Sequence, residues 1–154
     1  MLKILSNFAI IFALCFSADQ YIKSLFVSGY ELQGECISLV LAYNKGVAFS
    51  MFAFLEHNLK FIQIALLVAG LIYLYIRQDI FKTYYIPLAL LFAGGISNIY
   101  DRFIHEGVVD YVYWHCGFDF AIFNLADVMI DLAIVLIIFI SWKEEKKNKA
   151  AKSK

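Results

Sequence analysis

Four stretches of the chain are nearly unbroken apolar runs, and polar residues collect between them and at their ends. The runs are 4–18 (ILSNFAIIFALCFSA), 61–76 (FIQIALLVAGLIYLYI), 83–100 (TYYIPLALLFAGGISNIY) and roughly 120–142. A helix that crosses about 30 Å of hydrocarbon needs roughly 20 residues at about 1.5 Å each. Each run reaches that length only by taking in polar neighbours. The first extends into Asp19 and Lys23, and the second reaches back to His57 and Asn58. The third runs into Asp101 and Arg102, and the fourth contains Asp127 and Asp131. The pattern predicts an all-α membrane protein with one domain of four transmembrane helices, at about 4–23, 58–77, 83–102 and 121–142. Connections 24–57 and 103–120 then lie on one side. The first is long for a connection. Within it, ECISLVLAYNKGVAF mixes β-branched and aromatic residues with a glycine-containing turn, so one or two short strands are expected.

Composition strengthens this reading. Of 154 residues, 62% are hydrophobic and 17% charged; a soluble core of this length cannot bury so much apolar surface. Disordered chains, nucleic-acid binders and ordinary soluble enzymes are excluded. The net charge of zero hides an asymmetry: the tail 143–154 holds six Lys against two Glu. Basic residues favour the cytoplasmic side. The tail is therefore expected inside. With four spans the N-terminus is inside too, in agreement with Lys3, Arg77 and Lys82. Segments 24–57 and 103–120 become the outer, periplasmic, side. The first run is read as a retained span rather than a cleaved leader. The charge-touching ends of spans one, three and four then converge at the outer interface.

Cysteine and histidine add little. Cys36 and Cys116 both fall outside and can pair in an oxidising compartment, although their spacing gives no support. Cys15 is read as a small core residue, and His57, His105 and His115 have no metal-ligand spacing. No metal or cofactor is implied. Ser24 beside Lys23 does not make a serine–lysine dyad, because adjacent helix residues point in different directions.

The carboxylates say more. Asp101, Asp110, Asp127 and Asp131 gather around the outer ends of spans three and four. An ionised Asp within a span costs about 2.5–3.5 kcal/mol, so these groups must pair, protonate or face a polar cavity. Two carboxyls held close keep one proton between them. The ionised one takes a proton from water while the neutral one polarises a carbonyl, which is aspartyl protease chemistry. Asn44, Asn98 and Asn124 suit orientation of carboxylates or of an extended substrate, and Gly46, Gly94 and Gly95 permit close backbone approach. Helix–helix glue, as in a transporter subunit or scaffold, remains open at this point. A GxGD-type protease fits less well, since the chain reads GVVD at 107–110. Nothing in composition or spacing ranks Asp110 above Asp101.

Five motifs occur in order: DQYIK with Asp19 and Lys23, NKGVAF at 44–49, GGISNIYDR at 94–102, VVDY at 108–111 and FNLAD at 123–127. Together they resemble the lipoprotein signal peptidase (signal peptidase II) family, over roughly residues 4–142. The resemblance implies a bacterial inner-membrane aspartyl endopeptidase. Such an enzyme removes the signal peptide from prolipoproteins, just before a diacylglyceryl-modified cysteine. It implies Asp110 and Asp127 as the catalytic pair. Asn44, Gly46, Ala48, Asn98, Asp101, Arg102 and Asn124 would bind substrate or support the site, and Asp19 and Lys23 would be structural. The implied partners are diacylglyceryl prolipoproteins and membrane lipid, with the chain a monomer. Two positions depart from the expected pattern. Ser97 stands where the family usually has Gly. Asp131, one turn after Asp127, is expected to hydrogen-bond another span and is given no catalytic role. The aromatics Tyr111, Tyr113, Trp114, Phe118 and Phe120 are expected to form an interfacial belt or a substrate wall.

Overall fold

The computed structural model describes residues 1–46 and 56–152. The order of elements is α1 (Leu2–Val27), β1 (Ile37–Asn44), α2 (Glu56–Ile76), α3 (Gln78–Ile104), β2 (Val108–Trp114) and α4 (Leu125–Lys152). The four helices are each long and apolar enough to cross a membrane, over Leu2–Val27, Asn58–Ile76, Gln78–Ile104 and Leu125–Ala150. This is the all-α, four-span architecture with a small β segment that the hydrophobic pattern predicts. The helix ends differ from the ends of the apolar runs, because helices stop where backbone hydrogen bonds stop. α1 continues past Lys23. α4 starts at Leu125, after the capping residue Asn124, and runs through the Lys-rich tail, where Lys149 and Glu145 pair at 2.5 Å one turn apart.

α3 is the central helix and packs against α1, α2 and α4. Small residues make the contacts close: Ala89, Ala93, Ala126 and Ala133 are fully buried. At Gly94 a Cβ would lie 2.5 Å from the Ala126 carbonyl oxygen, so only glycine permits this α3–α4 approach. α3 also bends at Tyr84 (φ −113°, ψ 16°), three residues before Pro87, whose ring and missing N–H disturb the preceding turn. Large apolar side chains such as Leu14, Leu66, Tyr75 and Ile138 stand exposed on the outer faces of the bundle, where lipid is their natural solvent.

β1 and β2 form an antiparallel pair at the end of the bundle where α1 and α3 finish and α2 and α4 begin. Its register runs from Ile37 opposite Trp114 to Asn44 opposite Val108, with an irregularity between Leu39 and Ala42. Just beyond the Ile37–Trp114 pair, Cys36 and Cys116 form a disulfide, and the His115 N–H donates to the Cys36 carbonyl at 2.9 Å. On the other edge of β2, Val112 and Phe123 exchange backbone hydrogen bonds at 2.8 and 3.0 Å. β1 falls within the stretch expected to contain strands. β2 does not. It lies in the connection 103–120, for which no strand is expected, yet VVDYVYW is a run of β-branched and aromatic residues that suits a strand. Its partner is distant in sequence, so no local hairpin signal marks it.

Candidate active site

The site is built around the start of α4. A helix N-terminus leaves backbone N–H groups without internal partners, and here side chains from three other parts of the chain supply them. The Leu125 N–H donates to the Tyr111 hydroxyl oxygen at 3.0 Å. The Ala126 N–H donates to Asp19 Oδ1 on α1 at 2.8 Å. The Asp127 N–H donates to Asn124 Oδ1 at 2.9 Å, and Asp127 Oδ2 accepts the Asn124 N–H at 3.1 Å. This reciprocal pair is an Asn/Asp version of the capping box. It fixes the Asp127 carboxylate at the mouth of the helix, where its other oxygen accepts from Asn98 Nδ2 at 2.9 Å.

Asp110 arrives from β2 and is 2% exposed. Its backbone is pinned on the Val109 side, where the Val109 N–H donates to Asp101 Oδ2 at 3.1 Å and the Val109 carbonyl accepts from Asn124 Nδ2 at 3.2 Å. Asp110 Oδ1 accepts from Asn124 Nδ2 at 2.6 Å, and Oδ2 from Asn44 Nδ2 at 3.1 Å. Asn124 therefore bridges the two acids, touching Asp110 with its amide and Asp127 with its main chain. Burial foremost, and the neighbouring Asp127 charge second, push the Asp110 carboxyl up to about 7, against the pull of the Asn44 and Asn124 amides. Burial likewise raises the Tyr111 phenol to about 12.

Behind the pair lies a buried ionic cluster. Lys23 Nζ pairs with Asp19 Oδ2 at 2.8 Å and Asp101 Oδ2 at 2.7 Å, and donates to Asn98 Oδ1 at 2.9 Å. All three ammonium protons thus have acceptors. Ser97 Oγ donates to Asp19 at 2.6 Å, and Gln20 Nε2 donates to Ser97 Oγ and Asp101 Oδ1, both at 2.8 Å. Arg102 donates from Nη1 to the Asn98 carbonyl and from Nη2 to the Gly46 carbonyl. It thereby clamps the turn in which the Gly46 N–H meets Asn44 Oδ1 at 3.0 Å. In front of the pair opens a pocket of about 640 Å³. Asn44, Asn98 and Arg102 line it beside the acids, and Phe120, Ile122, Val128 and Ile130 form apolar walls. Among the described residues no group of three or more His, Cys, Asp or Glu is arranged to hold a metal.

Of the residues singled out in the sequence, Asn44, Gly46, Asn98, Arg102, Asp110 and Asp127 meet at the pocket. Asn124 joins the two acids from behind, and Asp101, Asp19 and Lys23 form the buried support. Ala48 lies outside the described residues. Two readings change. Tyr111 is no belt residue: it is buried, caps α4, and stacks on Phe26 with ring centroids 4.4 Å apart. Asp131 hydrogen-bonds no other span among the described residues; it opens into the pocket. Ser97, a departure from the family's usual Gly, has a contact of its own, since its hydroxyl links Gln20 to Asp19. Gln20 was missed. Its position beside Asp19, one turn before Ser24, gave no periodic signal that it faces α3.

Fold and site define a class, that of membrane proteins equipped for aspartic hydrolysis, with two coupled carboxyls at one end of a helix bundle. A family model described as signal peptidase (SPase) II matches residues 11–143. The lipoprotein signal peptidase of Sulfurimonas denitrificans is 60% identical, over 83% of this chain and 82% of that protein. Its counterpart in Wolinella succinogenes is 54% identical, over 88% and 93%. That of Helicobacter pylori strain Shi470 is 47% identical, over 96% and 94%. Two bacterial membrane enzymes solved by the in meso method superpose on the fold. One has a TM-score of 0.79 at 25% identity over 92% of this chain and 91% of its own. The other has 0.71 at 26% identity over 87% and 91%. The chain belongs to the signal peptidase II family of aspartic peptidases and is a multi-pass membrane protein.

Proposed function

We propose that this protein removes the signal peptide from prolipoproteins by cleaving just before a diacylglyceryl-modified cysteine, with Asp110 and Asp127 as the catalytic pair. The observation that carries the reading is the Asn124 bridge, which holds two carboxyls from separate elements at one pocket. Near neutral pH the pair keeps one proton, on the Asp110 side. Asp110 hydrogen-bonds the scissile carbonyl oxygen. Asp127 takes a proton from a water molecule as that water's oxygen attacks the carbonyl carbon. The proton then passes to the leaving nitrogen, and the C–N bond breaks. The two acids titrate as a unit. Asn44, Asn98 and Asn124 fix the carboxyl planes, Arg102 holds the Asn44–Gly46 turn, and Lys23 with Asp19 and Asp101 anchors the elements that carry the pair.

The sheet end faces the outer side of the membrane, with both termini in the cytoplasm. The Lys-rich tail supports this orientation, as does a Cys36–Cys116 disulfide in the sheet segment, which suits an oxidising compartment. A diacylglyceryl group held in the outer leaflet would present the scissile bond at this depth, against walls such as Phe120 and Ile122. Every group invoked comes from one chain, consistent with a monomer. The test uses detergent-purified protein and a lipidated prolipoprotein beside its unlipidated form. Cleavage before the lipidated cysteine only is expected. Asp110→Asn and Asp127→Asn should each lower the rate by about 10²–10⁴ without loss of helical content. Normal cleavage by either variant overturns the assignment of the pair.

A further inference from the structure

The end of α4 away from the sheet carries a second charged surface, on a side of the helix that the bundle does not use. Ala126, Met129 and Ala133 are buried and mark the side of α4 that packs on α3. At about 100° per residue, Val135, Phe139, Trp142 and Lys146 fall within about 60° of one another on the far side, with Lys143 about 40° beyond. The three apolar members are 60%, 55% and 52% exposed, and both lysines are exposed. Phe139 and Trp142 have ring centroids 6.2 Å apart, and Lys146 Nζ stands over the Trp142 ring, 4.1 Å from its centroid. Trp142 is about 26 Å along α4 from Leu125, close to the thickness of a hydrocarbon core. Of the tail's two acids, Glu145 pairs with Lys149 and Glu144 falls on the side of Ala126. Among the described residues no carboxylate pairs with Lys143 or Lys146.

An exposed apolar stripe that ends in two unpaired cations has the complement of one molecule of the membrane itself. From Val135 to Lys146 is about 16 Å, close to half of the roughly 30 Å hydrocarbon core. An acyl chain lying along Val135 and Phe139 therefore brings its headgroup to Lys143 and Lys146. An indole favours the boundary between chains and headgroups, and the face of the Trp142 ring holds the Lys146 charge at that level. Two ammonium groups favour a net negative headgroup over a zwitterionic one, whose own positive charge competes with them. We infer that Val135, Phe139, Trp142, Lys143 and Lys146 form a binding site for an anionic phospholipid, in the leaflet at the Lys-rich end of α4. Bound there, the lipid fixes the depth of the helix whose other end presents Asp127. The inference does not depend on the peptidase reading above.

The test uses the full chain in bilayers with Trp114→Phe, which leaves Trp142 as the only indole. Brominated phosphatidylglycerol and brominated phosphatidylcholine are titrated separately into phosphatidylcholine bilayers. Quenching of Trp142 fluorescence gives the relative affinity of the two headgroups beside that ring. At about 0.15 M salt phosphatidylglycerol should bind at least about fivefold more tightly, the factor that about 1 kcal/mol per basic residue supplies. Lys146→Gln should lower this ratio, and Lys146→Gln combined with Lys143→Gln should bring it near one. Lys149→Gln removes a charge that is already paired with Glu145 and lies about 10 Å beyond Trp142, so the ratio should stay. Equal affinity for the two lipids overturns the site. So does a ratio that survives the double substitution, or one that Lys149→Gln lowers as much as Lys146→Gln, because the charge of the tail would then act diffusely. These lysines are exposed, so their replacement leaves the core of the bundle untouched, and the comparison of the two lipids needs no change in the tail.

Discussion

Lys23→Met removes the cation that pairs with both Asp19 and Asp101 while keeping nearly the same side-chain length. The perturbation is therefore mainly electrostatic. Lys23 is 2% exposed and its partners 0% and 1%, so water does not screen the two carboxylates left facing each other. Breaking a buried ion pair by removing one partner costs about 3–5 kcal/mol. Two uncompensated acids put this site in the upper half of that range, about 4–5 kcal/mol. At about 2–4 °C per kcal/mol for a chain of this size, the melting temperature in detergent should fall by about 8–20 °C. A double-mutant cycle separates charge from packing. Asp101→Asn should destabilise the wild type, because Lys23 loses a partner. In the Lys23→Met background the same change should be neutral or stabilising, because it removes one of two repelling charges. Near-UV circular dichroism through the thermal transition reads both. A Lys23→Met protein melting within about 2 °C of wild type, or strictly additive effects in the cycle, would refute the claim that this cluster holds the site together.

Three further outcomes follow from the geometry. Asp110, at about 7, binds a proton in the folded state that the unfolded chain releases near pH 4. The stability that Asp110 contributes is thus present below about pH 4 and lost as pH rises through 7, about 4 kcal/mol at about 1.4 kcal/mol per pH unit. Cleavage should fall on the alkaline side with a midpoint near 7, and a rate constant flat from pH 7 to 9 would remove Asp110 as the proton holder. Gly94→Ala should cost about 1–3 kcal/mol and reduce kcat, since its Cβ meets the Ala126 carbonyl at 2.5 Å and Ile130 at 2.9 Å. Gly95→Ala, with Leu67 at 3.6 Å, should be mild in both melting and turnover. Tyr111→Phe keeps the stack on Phe26 but leaves the Leu125 N–H uncapped, for a loss of about 1 kcal/mol; an unchanged melting temperature would show that the hydroxyl is not the cap.

The spans were legible because lipid imposes one demand on every residue it touches, and that demand shows in local composition. Their ends were not, because they depend on partners elsewhere. α4 begins where Asn124, Asp19 and Tyr111 satisfy its N–H groups, and no local feature of residues 120–125 announces the latter two. The same limit kept Asp110 from ranking above Asp101 on composition and spacing alone. Asp101 sits at a span end, whereas Asp110 reads as an ordinary loop acid. Their roles part only in three dimensions, where Asp101 turns back to Lys23 and the Val109 N–H while Asp110 meets Asn44 from the other strand. Only the resemblance of five motifs to a known family singled out Asp110. It gave no role to Gln20 and no partner to Ser97, whose contact runs between helices 77 residues apart in sequence.

Those motifs become a single physical object once their contacts are followed. DQYIK supplies the Asp19 cap on Ala126 across 107 residues, and the Lys23 that steadies Asp101 and Asn98. The SNIYDR stretch supplies Asn98 to Asp127 and Asp101 to the strand of Asp110. FNLAD closes the circuit through Asn124. Each group that orients a catalytic oxygen is itself held by a buried partner. In a membrane this matters twice over, since a donor or acceptor without a partner has no water to turn to. It follows that the effects of substitutions along this circuit should be strongly non-additive. Loss of Asp19 uncaps the helix that presents Asp127 and also unbalances Lys23, so the orientation of Asp127 and the ionic support behind Asp110 should fail together rather than one at a time.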